Sequence, residues 1–425
     1  MSEFSPQLSI QIRDRFCNVD YDPILGNRVY FENAGGSLTL KSVVETSSSF
    51  DRLPHNAGRS HAGSEHVGDA IADGRDAVAT FLNARDGVIA SRESATAMIF
   101  TLLEAATADA DSGNVVCSSL DHAATYDAAT YVCEARGLTR RVAALDPVAG
   151  TVPVSAVLDQ IDEHTVAVAM VHASNVTGGV NDLAAIGAAV RQRAPSAILI
   201  ADGTQFVQHG GADVKQYHVD GYVFAAYKVF SRVGGGFAWL SPRLADRRHP
   251  RLTGNPLTTW DLGTRDAGNY AAFRRVIEYL IWLGQQVSPN TTNSGDRSLI
   301  EAAISAIIAH ETQIGGRLLA GVAELPGVQI VGNIPLGAQR QPVFALALDA
   351  LDTTAVVRTL AERGFIIHER RHDAYTRHVL AALGVSSVLR VALAHYNTGS
   401  EVDRFLTAFS DIVHGRAVSH PSRNL

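Results

Sequence analysis

Cysteine is scarce in this chain. Its 425 residues hold three, Cys17, Cys117 and Cys133, an odd number at wide spacing with no C-x-x-C pair. That excludes a disulfide framework and a cysteine-based zinc site, and it fits a reducing compartment. A surplus of basic charge is missing too. Lys and Arg total 36 against 43 Asp and Glu, a net charge of −7, so no nucleic-acid partner is expected. No apolar run is long enough to span a bilayer, and the opening MSEFSPQLSIQIRDRF lacks the apolar core of a secretory signal. No membrane association and a cytoplasmic location are therefore the expectation. Internal repeats and low-complexity tracts are absent as well. What remains is an ordinary globular composition, 46% hydrophobic and 19% charged, long enough for two or three domains.

Between about 68 and 240, short apolar runs alternate with Ala-rich stretches. The runs 87–91, 114–118, 141–145, 165–172, 197–201, 221–225 and 235–240 predict buried strands. The stretches 69–83, 96–108, 123–136, 154–161 and 183–193 predict helices. This rhythm predicts an α/β fold with a mostly parallel seven-stranded sheet covered by helices on both faces. Ligands of such sheets sit beyond the carboxyl ends of the strands. The stretch 241–264 holds Pro242, Pro250 and Pro256 and reads as an irregular connection. A helical pattern follows over 270–319, broken at 288–295 by SPNTTNSG. The remainder reads as a small α+β domain, with strands at 343–348, 365–368 and 388–393 and helices at 353–363 and 401–412. The expected organisation is an N-terminal segment, 1–30, packed on the small domain, a large domain, 31–265, and linking helices with the small C-terminal domain, 266–425.

Asp202 follows the apolar run AILI, and Lys228 follows YVFAA 26 residues later. An aspartate and a lysine at the ends of neighbouring strands suit pyridoxal phosphate. The lysine amine forms the Schiff base with the cofactor aldehyde, and the buried carboxylate keeps the pyridine nitrogen protonated. Taken alone, the pair is equally an N-cap and a loop-rim lysine.

The surrounding stretch, ADGTQFVQHGGADVKQYHVDGYVFAAYKVFSRVGGG (201–236), resembles the class V aminotransferase and cysteine desulfurase branch of the fold-type-I pyridoxal-phosphate enzymes. In that branch a D-x-x-Q or D-x-x-H pair precedes the cofactor lysine by this interval. Four further segments carry the resemblance in order: YFENAGGSLTLKSVVE (30–45), SSLDHAATYDAA (118–129), ASNVTGGVNDL (173–183) and LRVALAHYNTGSEVDRF (389–405). The resemblance implies pyridoxal 5'-phosphate as cofactor. Lys228 and His122 would be the catalytic pair, with His122 on the ring face. Gln205 and Asn175 would lie near the phenolic oxygen. Ser94, Ala95 and Thr96, at a probable helix start, would hold the phosphate. The family also has a Ser and a His shortly before the lysine. Here Ala225 and Tyr227 stand there, and only Tyr227 can donate. Thr264 matches a residue lent to a neighbouring subunit's phosphate, which implies a homodimer with shared active sites. Arg390 would grip the substrate carboxylate. Asn33, Arg59 and Arg371 are further substrate-binding candidates, with Asn56 and His61 beside Arg59.

One family feature is missing. The branch's desulfurases carry a nucleophilic cysteine shortly before the signature arginine, and FIIHERRHDAYTRHVLAALG (365–384) has none. Arg370, Arg371, His372 and Asp373 there could recognise a charged side chain or form a solvated face. The spacing of His55, His61 and His66 fits no metal pattern, so no metal site is expected. The resemblance thus implies an enzyme acting on a small amino acid, with an aminotransferase-type reaction ranked close to carbon–sulfur or related elimination. Racemisation and a non-catalytic binding role stay open.

Overall fold

The computed structural model describes residues 3–288 and 295–415; most of the expected helix break at 288–295 lies outside them. Seven strands form the large sheet: β1 (Val88–Arg92), β2 (Asn114–Ser118), β3 (Thr139–Ala143), β4 (Thr165–Val171), β5 (Ile198–Asp202), β6 (Gly221–Ala225) and β7 (Gly236–Leu240). Their spatial order is β1-β7-β6-β5-β4-β2-β3. Only β7 runs against its neighbours; the other ladders are parallel.

Alternation explains why the central runs are apolar throughout. In β6, Tyr222 and Phe224 enter one core with Val78, Phe81, Val190 and Val276. Val223 and Ala225 enter a second core with Met98, Leu102, Ala128 and Val132. Helices therefore cover both faces: Ala62–Phe81, Leu183–Arg193 and Ala267–Val287 on one, Ala95–Ala106 and Ala123–Arg136 on the other. A strand buried on both sides has no polar face to show.

The departures from expectation are local. β3 begins two residues before the expected 141. It is a partly exposed edge strand whose Arg140 covers the Tyr126 ring and whose Arg141 pairs with Asp162, so its apolar signal is weak. Lys41–Asp51 is a helix despite its Ser-rich, β-branched sequence, because it packs along Ala267–Val287; packing overrides weak propensity. Within the irregular 241–264 stretch, Pro242–Ala245 forms one helical turn capped by Ser241.

A second, antiparallel sheet is built from β8 (Val328–Val331), β9 (Val343–Leu348), β10 (His368–Arg371) and β11 (Ser387–Ala392), in the order β8-β9-β11-β10. Leu346, Leu389 and Val391 on its outer face meet Val356 and Leu360 of Thr353–Glu362 and Phe405 of Gly399–Val413. The expected strand 365–368 is divided. Phe365–Ile366 pairs in parallel with Val29–Tyr30 near the N-terminus, and the chain then enters the sheet at His368.

Candidate active site

Parallel strands place their carboxyl ends on one edge, and the following residues gather there. β1 leads to Ser94, β2 to His122, β4 to Asn175, β5 ends on Asp202, and β6 leads to Lys228 in the short 3₁₀ turn Ala226–Lys228. Ser94, Ala95, Thr96, His122, Asn175, Asp202, Gln205, Tyr227 and Lys228 line one cavity. β5 and β6 are hydrogen-bonded neighbours, which sets the carboxylate and the amine side by side.

Lys228 is buried, and its Nζ lies 3.4 Å from Gln205 Oε1. Burial, reinforced by the nearby Arg390 charge and opposed by Asp202, lowers its amine to about 7. Asp202 is 5% exposed. Its Oδ1 accepts from the Thr204 amide at 3.0 Å and its Oδ2 from Thr125 Oγ1 at 3.5 Å, which holds the carboxylate in place. His122 is both the N-cap of Ala123–Arg136 and a cavity residue. Its Nδ1 accepts from the Ala124 amide at 3.1 Å, and burial, with the Lys228 charge second, lowers it to about 4. The ring is neutral at physiological pH.

Ser94 caps Ala95–Ala106, accepting from the Ala97 amide at 3.1 Å. The first turn of that helix opens into the cavity, an anion-binding geometry. Gly236 makes it possible, since a Cβ there would meet the Ala95 nitrogen at 2.3 Å. Two buried donors in the cavity, Thr204 Oγ1 and Gln205 Nε2, have no partner among the described residues. The set fits a ligand with an anion at the helix N-terminus, a ring near His122 and a basic ring nitrogen near Asp202.

Other candidates lie elsewhere. Asn33 is fully buried and occupied. Its amide donates to Ala392 O at 2.8 Å and Asn397 Oδ1 at 3.2 Å, and its oxygen accepts from Tyr396 Oη. Its side chain is thus engaged within the chain, and Asn33 does not line this cavity. Arg59 and Thr264 are exposed and outside this cavity. His61 caps Ala62–Phe81. Arg371 lies outside this cavity, its side chain 63% exposed and near Glu369, while its neighbour Arg370 turns inward. Arg390 has no exposed surface and donates from Nη1 to Asn175 O at 3.1 Å, which places it against the cavity wall. Burial, and then the charge of Arg370, lowers it to about 9, so it stays charged at neutral pH.

Sequence reasoning passed over Asp121. Its two oxygens accept from Ser118 N at 2.6 Å and Val171 N at 2.8 Å, clipping the ends of β2 and β4 together beside His122. The signal was there, since an aspartate directly before a cavity histidine is an anchor in waiting. Thr204, between Asp202 and Gln205, was passed over as well. No cysteine lines the cavity. Cys117 is buried in β2, where burial pushes its thiol well up.

The aminotransferase class-V profile matches residues 29–274 and 296–405. Cysteine desulfurases of Salmonella typhi and Salmonella agona are each 25% identical over 406 residues, covering 90% of this chain and 93% of the relative. Among solved structures, the apo cysteine desulfurase of Thermococcus onnurineus NA1 superposes with a TM-score of 0.83 at 20% identity, over 98% of this chain and 100% of that one. The cysteine desulfurase CsdA of Escherichia coli, in its S-sulfonic acid form, gives 0.78 at 22%, over 96% and 99%. These two are likenesses of fold.

Proposed function

The chain belongs to the aminotransferase class-V family and is a pyridoxal-phosphate-dependent enzyme of fold type I; from this premise we propose that it transfers the amino group of a small amino acid, with Lys228 as cofactor lysine and proton carrier. The observation that carries the reading is Lys228 itself, a buried amine lowered to about 7 beside Asp202 at the carboxyl edge of the sheet.

Ser94 and the first amides of its helix would hold the phosphate, with Tyr227 as a further donor. Asp202 would keep the ring nitrogen protonated, Gln205 and Asn175 would serve the phenolic oxygen, and His122 would cover the ring face. When bound, the cofactor supplies an aldehyde for the lysine and an electron-withdrawing ring for the substrate's α-carbon electrons. The protein's own part is then positioning and proton transfer. Arg390 takes the α-carboxylate through its planar fork. Lys228, once free, would take the α-proton at Nζ and return it two bonds along, at the carbon the cofactor contributes. Neutral His122 adds no charge that would compete with the protonated ring. Thr264 and the exposed 52–61 segment would serve the cavity of a second copy, making the working unit a homodimer, with the cytoplasm as its location.

A second reading is carbon–sulfur elimination, favoured by the name that the curated relatives share. With no cysteine at the cavity, sulfur would leave as free sulfide and not as an enzyme persulfide.

The test is the visible spectrum of the purified protein beside Lys228→Ala, followed by incubation with single amino acids and a 2-oxo acid acceptor. Amino-group transfer predicts a long-wavelength band lost in the variant, and a new amino acid formed without ammonia or sulfide. Stoichiometric sulfide and ammonia from cysteine would replace the first reading by the second. A protein that stays colourless with added cofactor would sink both.

A further inference from the structure

The register of β10 decides which arginines face the cavity. His368 lies directly opposite Arg390 of β11, and Arg370 opposite Val388. Side chains alternate along a strand, so His368 and Arg370 share a face with Arg390, while Glu369 and Arg371 share the other with Leu389. The neighbours identify the two faces. Val388 packs into the large-sheet core, and Arg390 reaches Asn175 of the large-sheet side. Leu389 packs into the small sheet's own core, and Glu369 accepts from Thr353 and Thr354 of the covering helix.

Two guanidiniums therefore face the cofactor side, and little answers them there. Arg390 has Nε and Nη2 without hydrogen-bond partners, and Glu32, at 3.5 Å, is its one ion-pair partner among the described residues. Arg370 is half-buried, its Nε has no acceptor, and it forms no ion pair among the described residues. Glu369, next to it in sequence, is on the opposite face. The charges of Asp373 and Glu32 favour charged Arg370, but neither forms an ion pair with it among the described residues, and Asp373 Oδ1 already accepts three bonds from Tyr375 and Thr376. Cations held away from water call for anionic partners. A substrate with one carboxylate answers only Arg390.

We propose that the amino acid used here carries a second acidic group, a dicarboxylic amino acid, with Arg390 on its α-carboxylate and Arg370 on its side-chain carboxylate. The assignment rests on the proposed role of Arg390 and adds the substrate class. It also gives Arg370 a task for which the bare sequence had put forward Arg371.

The experiment is calorimetric titration of the cofactor-loaded protein with glutarate and with butyrate, unreactive acids of similar length. Wild type should bind glutarate about tenfold or more tightly than butyrate, as a charge-assisted second contact allows. Arg370→Gln should abolish that preference while leaving butyrate affinity in place, which also reports an intact fold. Arg370→Lys should keep part of the preference, and Arg371→Gln all of it. Equal affinities in wild type, or a preference that survives Arg370→Gln, would overturn the proposal. A coloured protein without the preference keeps the enzyme reading and loses the arginine pair. A colourless one with an Arg370-dependent preference keeps the pair and loses the enzyme reading.

Discussion

On the large-sheet side of the cleft, each polar residue closes its strand, as Asp202 does, or follows it by a few positions. His122 comes after β2, Asn175 after β4 and Lys228 after β6. On the small-sheet side, Arg390 and Arg370 sit inside strands, and their direction depends on a partner strand's register. The first arrangement tolerates an error of a residue or two in a strand's end. The second does not, because a slip of one residue turns the side chain to the opposite face. The lesson is that a site built on strand ends is written locally, and a site built on strand faces is written in the pairing.

The strongest way to break this comparison is at the strand-end side. Lys228→Ala should abolish the visible band and lower amino-acid turnover by about a thousandfold or more, since it removes nucleophile and base together. A variant with its band intact would move the chemistry away from this edge. On the strand-face side, Arg390→Gln should weaken binding of the amino acid by roughly fiftyfold, the usual cost of truncating one member of a buried charge contact. Arg371→Gln should change it by less than about twofold. Equal effects of the two substitutions, measured by spectral titration, would show that the register does not govern recognition.

Gly236→Ala tests the meeting of β7 with the helix N-terminus. The new methyl would fall 2.3 Å from the Ala95 nitrogen, so the helix start must move, at about 1–3 kcal/mol. Cofactor should then be lost on dialysis about tenfold faster than from the wild type. Unchanged retention would mean that the phosphate is held elsewhere.

The smallest effect is in pH. Lys228 is lowered to about 7 by burial, and only its neutral form attacks an aldehyde. The rate of cofactor uptake by the apoprotein should therefore rise with pH, by about fivefold from pH 6 to 7, and then level off. A rate still climbing steeply at pH 9 would show an amine near its ordinary value and a wetter site.

Much of the fold was legible because periodicity is local. The helices Ala123–Arg136 and Leu183–Arg193 coincide with their expected spans, and each follows a strongly apolar strand. The edge strand β3 shifted because solvent reaches it and its arginines mask the pattern. Helix Lys41–Asp51 was invisible because its cause is a partner, Ala267–Val287, more than 200 residues away. Asn33 shows the same limit within the site region. Its motif marks it as special, but its bonds to Ala392, Tyr396 and Asn397 come from the far end of the chain. They spend the side chain on holding the N-terminal segment to the small sheet.

The sequence by itself determined the alternation of strands and helices, and so the direction of the sheet and the edge at which Asp202 and Lys228 emerge. Backbone periodicity and chain direction are properties of neighbouring residues. Only the tertiary structure decided that Arg370 turns inward and Arg371 outward, that Asn33 is consumed by packing, and that Lys228 sits where its amine is near neutrality. Register, burial and the fields of distant charges are set by segments that meet only when the chain has folded.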